Sequence, residues 1–563
     1  MILRWEDETA RARAHDIIAA RTIGGVKQIA KGVHWSVLAA ADTTCTRQNQ
    51  DIILGWLRDR DPTDTSSGQN QGTPSDRAQR LIRRTWGAYI AIFVSEEHLW
   101  VMTDPSGAVP AWRIDSDGLT VIADDISPAL ARTAGLLARI DRSAVTTSLV
   151  DPASATHLAC ISGISPLIPG VLYGPGRAEQ ALWRPDCYTI RHVNNPTSEL
   201  RRVVDDTASA LIEPATLFQL SGGLDSSILL TSLASRGVRP LAMNFATRDV
   251  GGDERDYARL VSRHAGVKLV EVSDGGFPDY RRLAEARQGA APHIFGLDDA
   301  FEGSVDRLVA EHEATSVMTG QGGDAVFFQP ATTLVSVDHA QAKGMGLPFW
   351  RGLPDAARRT SSSVWPHLLA VMRDHVRPTR VPTRMLNATM LTTDALVGVA
   401  DVDRRHPWSR DIDHLPPGKR MQIVMIANSQ IFHRNRATGT ASLRHPLLTQ
   451  PVLESVLGIP TFVLAQGAND RGLARKVFAD RLPSALVARR TKGDASDHYS
   501  RAALANLEFL RAFLLDGHLV AMGILQRDAL EEVLTREALF FSPDYRGLAI
   551  QVSCEAWARA WAG

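Results

Sequence analysis

Between about residue 200 and residue 320, short apolar segments alternate with segments of helical periodicity, and this alternation restricts the possible folds more than any other feature of the chain. Strands that alternate with helices favour a parallel sheet with helices on both faces, which binds ligands beyond the carboxyl ends of its strands. The predicted strands are Ala215–Leu220, Arg239–Ala246, Val267–Ser273 and Ser316–Gly320. The predicted helices lie near residues 200–211, 226–235, 255–265, 279–288 and 297–312.

The first 190 residues have a different pattern and are predicted to be rich in β-structure. Short alternating or apolar runs between turn signals occur at Val33–Ala40, Tyr89–Ser95, His98–Asp104 and Leu119–Asp125. A polar stretch at Asp59–Asp76 predicts a mobile surface loop, and Val193–Leu200 predicts a linker. From about Pro330 onward the chain is predicted to be mostly helical. We therefore expect an α/β protein with one domain over residues 1–195 and a second over residues 196–563.

Composition excludes several functional classes. A chain of 563 residues needs more than one core, and its 62 basic and 62 acidic residues cancel, which argues against general binding of nucleic acid. No CxxC pair occurs among the four cysteines, so neither a zinc site nor a disulfide framework is indicated. We find neither an apolar run of spanning length nor a signal peptide, and we expect a cytoplasmic protein with no membrane partner. The cysteines are Cys45, Cys160, Cys187 and Cys554.

The stretch SGGLDSS, residues 221–227, follows a predicted strand and opens a predicted helix. Its glycines permit a tight turn, and the free amides at a helix start attract an anion. The chain has no GKS or GKT here, so this is not the Walker-type phosphate loop. Asp225 would repel a phosphate unless a cation lies between them, which indicates magnesium. A second glycine-rich stretch, MTGQGGDAVFF, ends another strand and carries Asp324. Two such loops could hold one triphosphate with its metal between them.

The segments SGGLDSS, GGDERDYARLVSRHAG and TGQGGD resemble the synthetase domain of the asparagine synthetase superfamily over roughly residues 200–530. The resemblance implies an ATP-pyrophosphatase-type fold that activates a carboxylate as an acyl-adenylate, releases pyrophosphate and admits an amine. Lys492, in RRTKGDASDHY, matches the lysine that stabilises the charged states of both steps. Asp225 and Asp324 would hold Mg²⁺. The implied ATP-binding residues are Leu220, Ser221, Gly222, Gly223, Asp225, Ser226, Ser227, Met243, Asn244, Phe245 and Gly320.

The N-terminal half resembles the glutaminase-like (Ntn-type) domain of the same superfamily, on the segments WGAYIAIF, DPSGAVPAW and ISGISPLIPG. Members that hydrolyse glutamine use an N-terminal cysteine exposed by removal of the initiator methionine. Residue 2 of this chain is Ile2, and the first cysteine is Cys45. We therefore expect that this domain lacks glutaminase activity.

Three departures from asparagine synthetase point to a subfamily. Gln321 and Ala325 replace acidic residues of the second loop, and Ser442 stands where that enzyme has a catalytic glutamate. The segments PPGKRMQIVMIANSQIFHRNR and HPLLTQPVLESVLGIPTFVLAQGANDRGLAR resemble the lasso-peptide macrolactam synthetases. That resemblance implies a precursor peptide as substrate, whose N-terminal amine attacks an Asp or Glu side chain, and a leader peptidase and leader-binding protein as partners.

The sequence leaves alternatives open. His433, His445 and Glu454 are candidates for accepting the proton of the amine, although the sequence favours a structural role for each of them. A synthetase of β-lactams or other small amides, or an enzyme using free ammonia, would have the same motifs. An enzyme that adenylates tRNA bases would also use such a loop, but neutral charge opposes it. A non-catalytic protein that binds ATP or peptide is the remaining alternative, and intact Asp225, Asp324 and Lys492 argue against it.

Overall fold

A computed structural model gives the structure of the chain. It describes residues 1–61, 72–96, 98–176, 178–191, 193–246, 252–273, 277–286, 288–292, 299–376, 386–400, 405–429, 441–490, 493, 496–541, 545 and 547–562. The predicted loop at residues 59–76 falls largely on residues 62–71, which lie outside these ranges.

The first 181 residues form two six-stranded antiparallel sheets. The first sheet has the strand order β10-β8-β9-β1-β3-β2, and the second has the order β12-β11-β7-β6-β5-β4. The prediction of a β-rich N-terminal half is therefore confirmed. The strands are β1 (Ile2–Trp5), β2 (Val26–Lys31), β3 (Trp35–Ala40), β4 (Cys45–Gln48), β5 (Asp51–Asp59), β6 (Thr85–Ser95), β7 (His98–Thr103), β8 (Trp112–Ser116), β9 (Leu119–Ala123), β10 (Ile164–Pro166), β11 (Val171–Tyr173) and β12 (Glu179–Ala181).

The helices of this half are α1 (Glu8–Ile23), α2 (Pro74–Arg84), α3 (Pro128–Thr133) and α4 (Arg142–Val150). Successive side chains of a strand point to opposite faces, and the two sheets use this alternation to pack against each other and against helices. In β1, Ile2 joins the core between the two sheets, whereas Leu3 joins a core with α1 on the outer face. In β5, Ile52 points inward and Ile53 packs with α2. The result is a sandwich with helices outside both sheets, which fits the glutaminase-like fold class.

A five-stranded parallel sheet forms the centre of the second half, in the order β15-β14-β13-β16-β17. Its strands are β13 (Thr216–Gln219), β14 (Leu241–Ala246), β15 (Leu269–Ser273), β16 (Ser316–Met318) and β17 (Ser442–Arg444). Helix α5 (Pro196–Leu211) precedes β13. The helices between β13 and β16 are α6 (Leu224–Ser235), α7 (Arg255–Ala265), α8 (Tyr280–Ala284) and α9 (Asp299–Glu311). The predicted α/β class is confirmed.

Details of this half differ from the prediction. The predicted linker at residues 193–200 is already helical from Pro196, because the side chain of Asn195 accepts a hydrogen bond from the backbone of Ser198 and caps α5. Strand β17 was not predicted, since it lies far along the chain from the other strands, in the part with a mostly helical pattern.

The rest of the chain is helical as predicted, with β17 between α15 and α16. These helices are α10 (Gly323–Val326), α11 (Leu334–Lys343), α12 (Leu347–Arg359), α13 (Val364–Val376), α14 (Thr393–Ala400), α15 (Pro417–Asn428), α16 (Gln450–Leu457), α17 (Thr461–Leu464), α18 (Gly472–Phe478), α19 (Ser484–Ala488), α20 (Ser496–Ala505), α21 (Leu507–Leu514), α22 (His518–Ala521), α23 (Arg527–Val533), α24 (Arg536–Phe541) and α25 (Leu548–Ala562). None of the helices in the described ranges is both long enough and apolar enough to cross a membrane.

Candidate functional site

The first glycine loop joins β13 to α6 at the carboxyl edge of the parallel sheet. The amide of Leu220 donates to the carbonyl of Met243 (2.8 Å), and the side-chain amide of Asn244 donates to the carbonyl of Leu220 (2.8 Å), so β14 fixes where β13 ends. Gly222 then adopts a φ of 79°, and a Cβ there would lie 2.7 Å from the carbonyl oxygen of Glu254. Only glycine fits this turn without strain.

Helix α6 begins at this loop with Gly223 as its N-cap, and no side chain among the described residues caps it. The hydroxyls of Ser221 and Ser226 lie 3.0 Å apart beside the helix start. A Cβ on Gly223 would meet only the Ser221 hydroxyl, at 3.3 Å, so the space in front of the loop is open. Open amides, the positive end of the helix dipole and two hydroxyls together make an anion site.

The second glycine loop, between β16 and α10, packs directly on the first. A Cβ on Gly320 would lie 2.7 Å from the amide nitrogen of Ser226, and one on Gly323 would lie 2.3 Å from Cγ of Asp225. Glycine at these two positions lets the loops approach closely. Asp225 and Asp324 therefore face the same space, with side chains that are 14% and 48% exposed.

A cavity of about 510 Å³ opens between the two loops. The volume of this cavity and its position at the carboxyl end of a parallel sheet are typical of a site that binds a small molecule. Of the residues predicted to bind ATP or metal, those on its wall are Ser221, Gly223, Asp225, Ser226, Gly320 and Asp324.

The other predicted residues lie behind this wall. Ser227 is buried and its hydroxyl donates to the carbonyl of Gly223 (2.6 Å). Met243 and Asn244 are buried beneath the loop, and Phe245 packs edge-on against Phe301, which does line the cavity. Leu220 and Gly222 shape the turn. Contact of these six residues with a nucleotide stays a prediction. Lys492 lies outside the described residues.

An arginine that the sequence analysis missed lies between the two acidic residues. Nη1 of Arg471 donates to both carboxylate oxygens of Asp225 (2.9 and 2.8 Å), and Nη2 lies 3.5 Å from Oδ1 of Asp324. Nε donates to Asp470 (3.0 Å). Burial lowers the pKa of Arg471, but the three carboxylates outweigh this effect and raise it. The guanidinium is therefore a fixed cation in the cavity.

Further arginines make the wall basic. Arg475 pairs with Asp470 (2.6 Å), and Arg490 also lines the cavity. Arg489 donates to both oxygens of Glu254, and the backbone amide of Gly493 donates to the same carboxylate (2.6 Å). One signal in the sequence could have found this set: five arginines lie within the twenty residues from 471 to 490, immediately before Lys492.

The three candidate proton acceptors separate in the structure. His445 lines the cavity, and its Nδ1 lies 2.7 Å from the hydroxyl of Thr319. Glu454 is buried and bonded to Arg60, Trp183 and Gln450, so its role is structural. His433 lies outside the described residues.

All three substituted positions lie in the described residues, and Ala325 is buried in α10. Gln321 lines the cavity, whereas Ser442, at the position of a catalytic glutamate in asparagine synthetase, is exposed on β17.

The residues present fit a magnesium ion bound together with phosphate. Asp225 and Asp324 offer carboxylate oxygens from two sides, and a cation, Arg471, already lies between them. No group of three or more His, Cys, Asp or Glu side chains is arranged to hold a metal in the part of the chain that the structure describes. Magnesium commonly takes one or two carboxylates and completes its shell with water and substrate phosphates, so this donor set suits Mg²⁺ with a nucleotide.

Comparison with known proteins identifies the family. A family model described as asparagine synthase matches residues 200–559, which is more than half of the chain. The chain therefore belongs to the asparagine synthase family, whose members are ATP-dependent ligases that form amide bonds. No curated protein matches the sequence.

Two solved structures show weak similarity. One, a glutamine phosphoribosylpyrophosphate amidotransferase from B. subtilis complexed with ADP and GMP, shares 12% identity, covers 51% of this chain and 67% of its own, and has a TM-score of 0.17. The other, an allosteric regulatory enzyme of purine biosynthesis, shares 13% identity, covers 48% and 70%, and has a TM-score of 0.15. Similarities this low support no inference about function.

Proposed function

We propose that this protein uses ATP to adenylate an Asp or Glu side chain of a precursor peptide, and that the N-terminal amine of the peptide then closes a macrolactam ring. The observation that carries the ATP-dependent step is that two glycine loops bring Asp225 and Asp324 to one cavity in front of the open start of α6. Membership of the asparagine synthase family supports an amide as the product.

The residues of the loops have complementary tasks in this proposal. The amides of Gly223 and the first turn of α6, with the hydroxyls of Ser221 and Ser226, bind the phosphates. When bound, magnesium neutralises phosphate charge and favours departure of pyrophosphate. The peptide carboxylate attacks the α-phosphate of ATP, and the phosphoanhydride bond between the α- and β-phosphates breaks, which releases pyrophosphate. The amine then attacks the acyl-adenylate and displaces AMP. The electrostatic role of Lys492 in both steps stays part of the proposal.

Proton removal from the amine is assigned to His445. Of the two candidates that lie in the described residues, His445 is the one that lines the cavity, and its Nδ1 lies 2.7 Å from the Thr319 hydroxyl, which orients the ring. An amine must lose a proton when it forms an amide, and a neutral imidazole accepts one near neutral pH.

Two features of the chain support a peptide substrate over glutamine-dependent amidation. Strand β1 begins with Ile2, which is buried between the sheets and provides no thiol. Ser442 stands where asparagine synthetase has a glutamate that serves the small-molecule reaction. An amine tethered to its own carboxylate needs no ammonia, and holding both groups together lowers the barrier by proximity. The resemblance of residues 416–436 and 445–475 to lasso-peptide macrolactam synthetases supports the same substrate.

The test combines a peptide assay with analysis of the nucleotide products. Synthetic peptides with a free N-terminus and one Asp or Glu at varied distance are incubated with ATP and Mg²⁺. We expect loss of one water by mass spectrometry and equal amounts of AMP and pyrophosphate by chromatography. An N-acetylated peptide is the matched control and must not cyclise. ADP as the main product would disprove the adenylation step.

The alternative of a β-lactam-forming or other small-molecule amide synthetase, or of an enzyme using free ammonia, is tested in the same assay. Small amino acid derivatives and ammonium replace the peptide. Turnover with these compounds and none with any peptide would reject the macrolactam proposal while leaving ATP-dependent amide formation in place.

A further inference from the structure

We propose that Arg471 is a resident counter-cation of the metal site, which Mg²⁺ must displace, so that the metal binds more tightly together with the nucleotide than alone. This inference rests on the proposed ATP-dependent function but concerns the state before any substrate is bound. It assigns to Arg471 a role that neither of the sequence motifs around Asp225 and Asp324 indicates.

The guanidinium occupies the space that a shared metal ion needs. Nη1 contacts both oxygens of Asp225 at 2.9 and 2.8 Å, and Nη2 approaches Asp324 at 3.5 Å. A magnesium ion binds carboxylate oxygens at about 2.1 Å, so an ion shared by these two carboxylates would overlap the guanidinium or touch it. The guanidinium and a metal ion shared by the two carboxylates therefore cannot fill this space at the same time.

The position of Arg471 is built into the fold rather than being one of many surface conformations. Its side chain is only 5% exposed. Its backbone has a φ of 53°, in the left-handed region that non-glycine residues rarely adopt, where it caps α18. Nε is held by Asp470, which is itself held by Arg475. With its amide oriented to satisfy both neighbours, Gln329 accepts from Nη2 (2.6 Å) and donates to Asp324 (2.7 Å).

The charges explain why a nucleotide favours the exchange. Without a cation, Asp225, Asp324 and Asp470 would repel one another in a partly buried site. A metal ion alone gains the two carboxylates but takes from the buried guanidinium its two hydrogen bonds to Asp225, which is costly. A metal ion with a triphosphate brings anionic oxygens to which the displaced guanidinium can donate in a bidentate manner. The site therefore favours the loaded pair over the bare metal.

The experiment measures metal binding without turnover, with Mn²⁺ as the probe and its free concentration read by electron paramagnetic resonance. Arg471→Gln removes the guanidinium charge. If the guanidinium leaves the carboxylates of the unmodified protein in at most about a tenth of the molecules, the apparent affinity for Mn²⁺ is at least about tenfold lower than the affinity of the open site. We therefore expect Arg471→Gln to bind Mn²⁺ at least about tenfold more tightly than the unmodified protein when no nucleotide is present. Arg471→Lys should lie between the two. Arg201→Gln, which removes an arginine that pairs with Asp480 at the surface, is the control and should match the unmodified protein.

Two further measurements make the outcome decisive. Adding Asp225→Asn to Arg471→Gln should abolish the gain, which shows that the new affinity arises at these carboxylates. With α,β-methylene-ATP, the unmodified protein should gain more Mn²⁺ affinity from the nucleotide than Arg471→Gln does. Equal Mn²⁺ affinity of unmodified protein and Arg471→Gln, or a gain that persists in the double variant, would overturn the inference. No peptide is involved, so failure of the cyclisation assay would be a separate result.

Discussion

Asp225 and Asp324 line the same cavity, although their loops are almost a hundred residues apart in the chain. The proposed ATP-dependent reaction depends on these two residues. Asp225→Asn and Asp324→Asn keep the size of each side chain but remove an anionic ligand. We expect each to lower turnover by more than about 100-fold, the scale of losing one preorganised electrostatic group.

ATP–pyrophosphate exchange at several magnesium concentrations measures this loss, with circular dichroism to confirm folding. Asp206→Asn is the matched control, because Asp206 is a half-exposed partner of Arg202 and Arg236 outside the cavity. Near-normal exchange by either cavity variant at limiting magnesium would show that its carboxylate is not a ligand.

Ile2 leads to a second prediction at the scale of single residues. Its side chain is apolar, 2% exposed and packed between the two sheets. The first cysteines along the chain are exposed Cys45 on β4 and buried Cys160. Burial raises the pKa of the Cys160 thiol to about 12, which suppresses the reactive thiolate. We therefore expect no release of glutamate from glutamine, measured with a coupled dehydrogenase. Release that a thiol-alkylating reagent abolishes would contradict this expectation.

At the scale of elements, the parallel sheet was predictable because β13 to β16 each follow a clear turn signal and alternate with amphipathic helices. Strand β17 was missed because it lies in the part of the chain with a mostly helical pattern and its sequence, SLR, has only one apolar residue. The two acidic loops were predictable from glycines at strand ends. Arg471 and Glu254 were not predicted. The concentration of arginines from residue 471 to residue 490 was a signal for the first, but the part of both residues in the site depends on the tertiary contact of α18 and α7 with those loops.

Glu254, the N-cap residue of α7, also gives a prediction about the segment that contains Lys492. Its carboxylate accepts hydrogen bonds from Arg489 and from the amide of Gly493, the residues on either side of 490–492. The guanidinium of Arg489 also stacks on Tyr257, 3.8 Å from the ring centre. One carboxylate thus ties both ends of a short segment, and we expect it to position Lys492.

The test is a double-mutant cycle with Glu254→Gln and Lys492→Ala. Lys492→Ala should cut turnover by about 10²-fold with little change in ATP affinity, because the charge it meets develops during reaction. Glu254→Gln should cut kcat by about 10- to 100-fold with little change in the KM for ATP, the usual size of a supporting contact. The double variant should be no slower than Lys492→Ala alone.

Glu271→Gln serves as the control for this cycle, since Glu271 pairs with Arg259 at the surface. Losses that multiply in the double variant would mean that Glu254 acts independently of Lys492. Full activity of Lys492→Ala would instead reject the catalytic assignment and make Lys492 a solvated residue.

At the scale of the whole molecule, the two halves share their hydrophobic cores. One cluster joins Ile53 and Tyr89 of the antiparallel sheets to Phe218 and Leu453 of the second half. Another joins Leu3 to Trp557 of the last helix. Burial of apolar surface contributes about 25 cal/mol per Å², so separating the halves would expose a large unfavourable area. The glutaminase-like half therefore contributes to the hydrophobic cores that stabilise the second half.

Glu454 connects the halves and makes this coupling measurable. It is 6% exposed, and it accepts hydrogen bonds from Arg60 and Trp183 of the first half and from Gln450 beside it. Glu454→Ala removes the acceptor of the Trp183 indole and of two guanidinium nitrogens of Arg60, which should cost on the order of 2 kcal/mol. Because the cores are shared, we expect one calorimetric unfolding transition that moves as a whole to lower temperature, while Glu8→Ala, at an exposed pair with Arg11, leaves it unchanged. Two transitions, of which Glu454→Ala moves only one, would show that the halves fold independently.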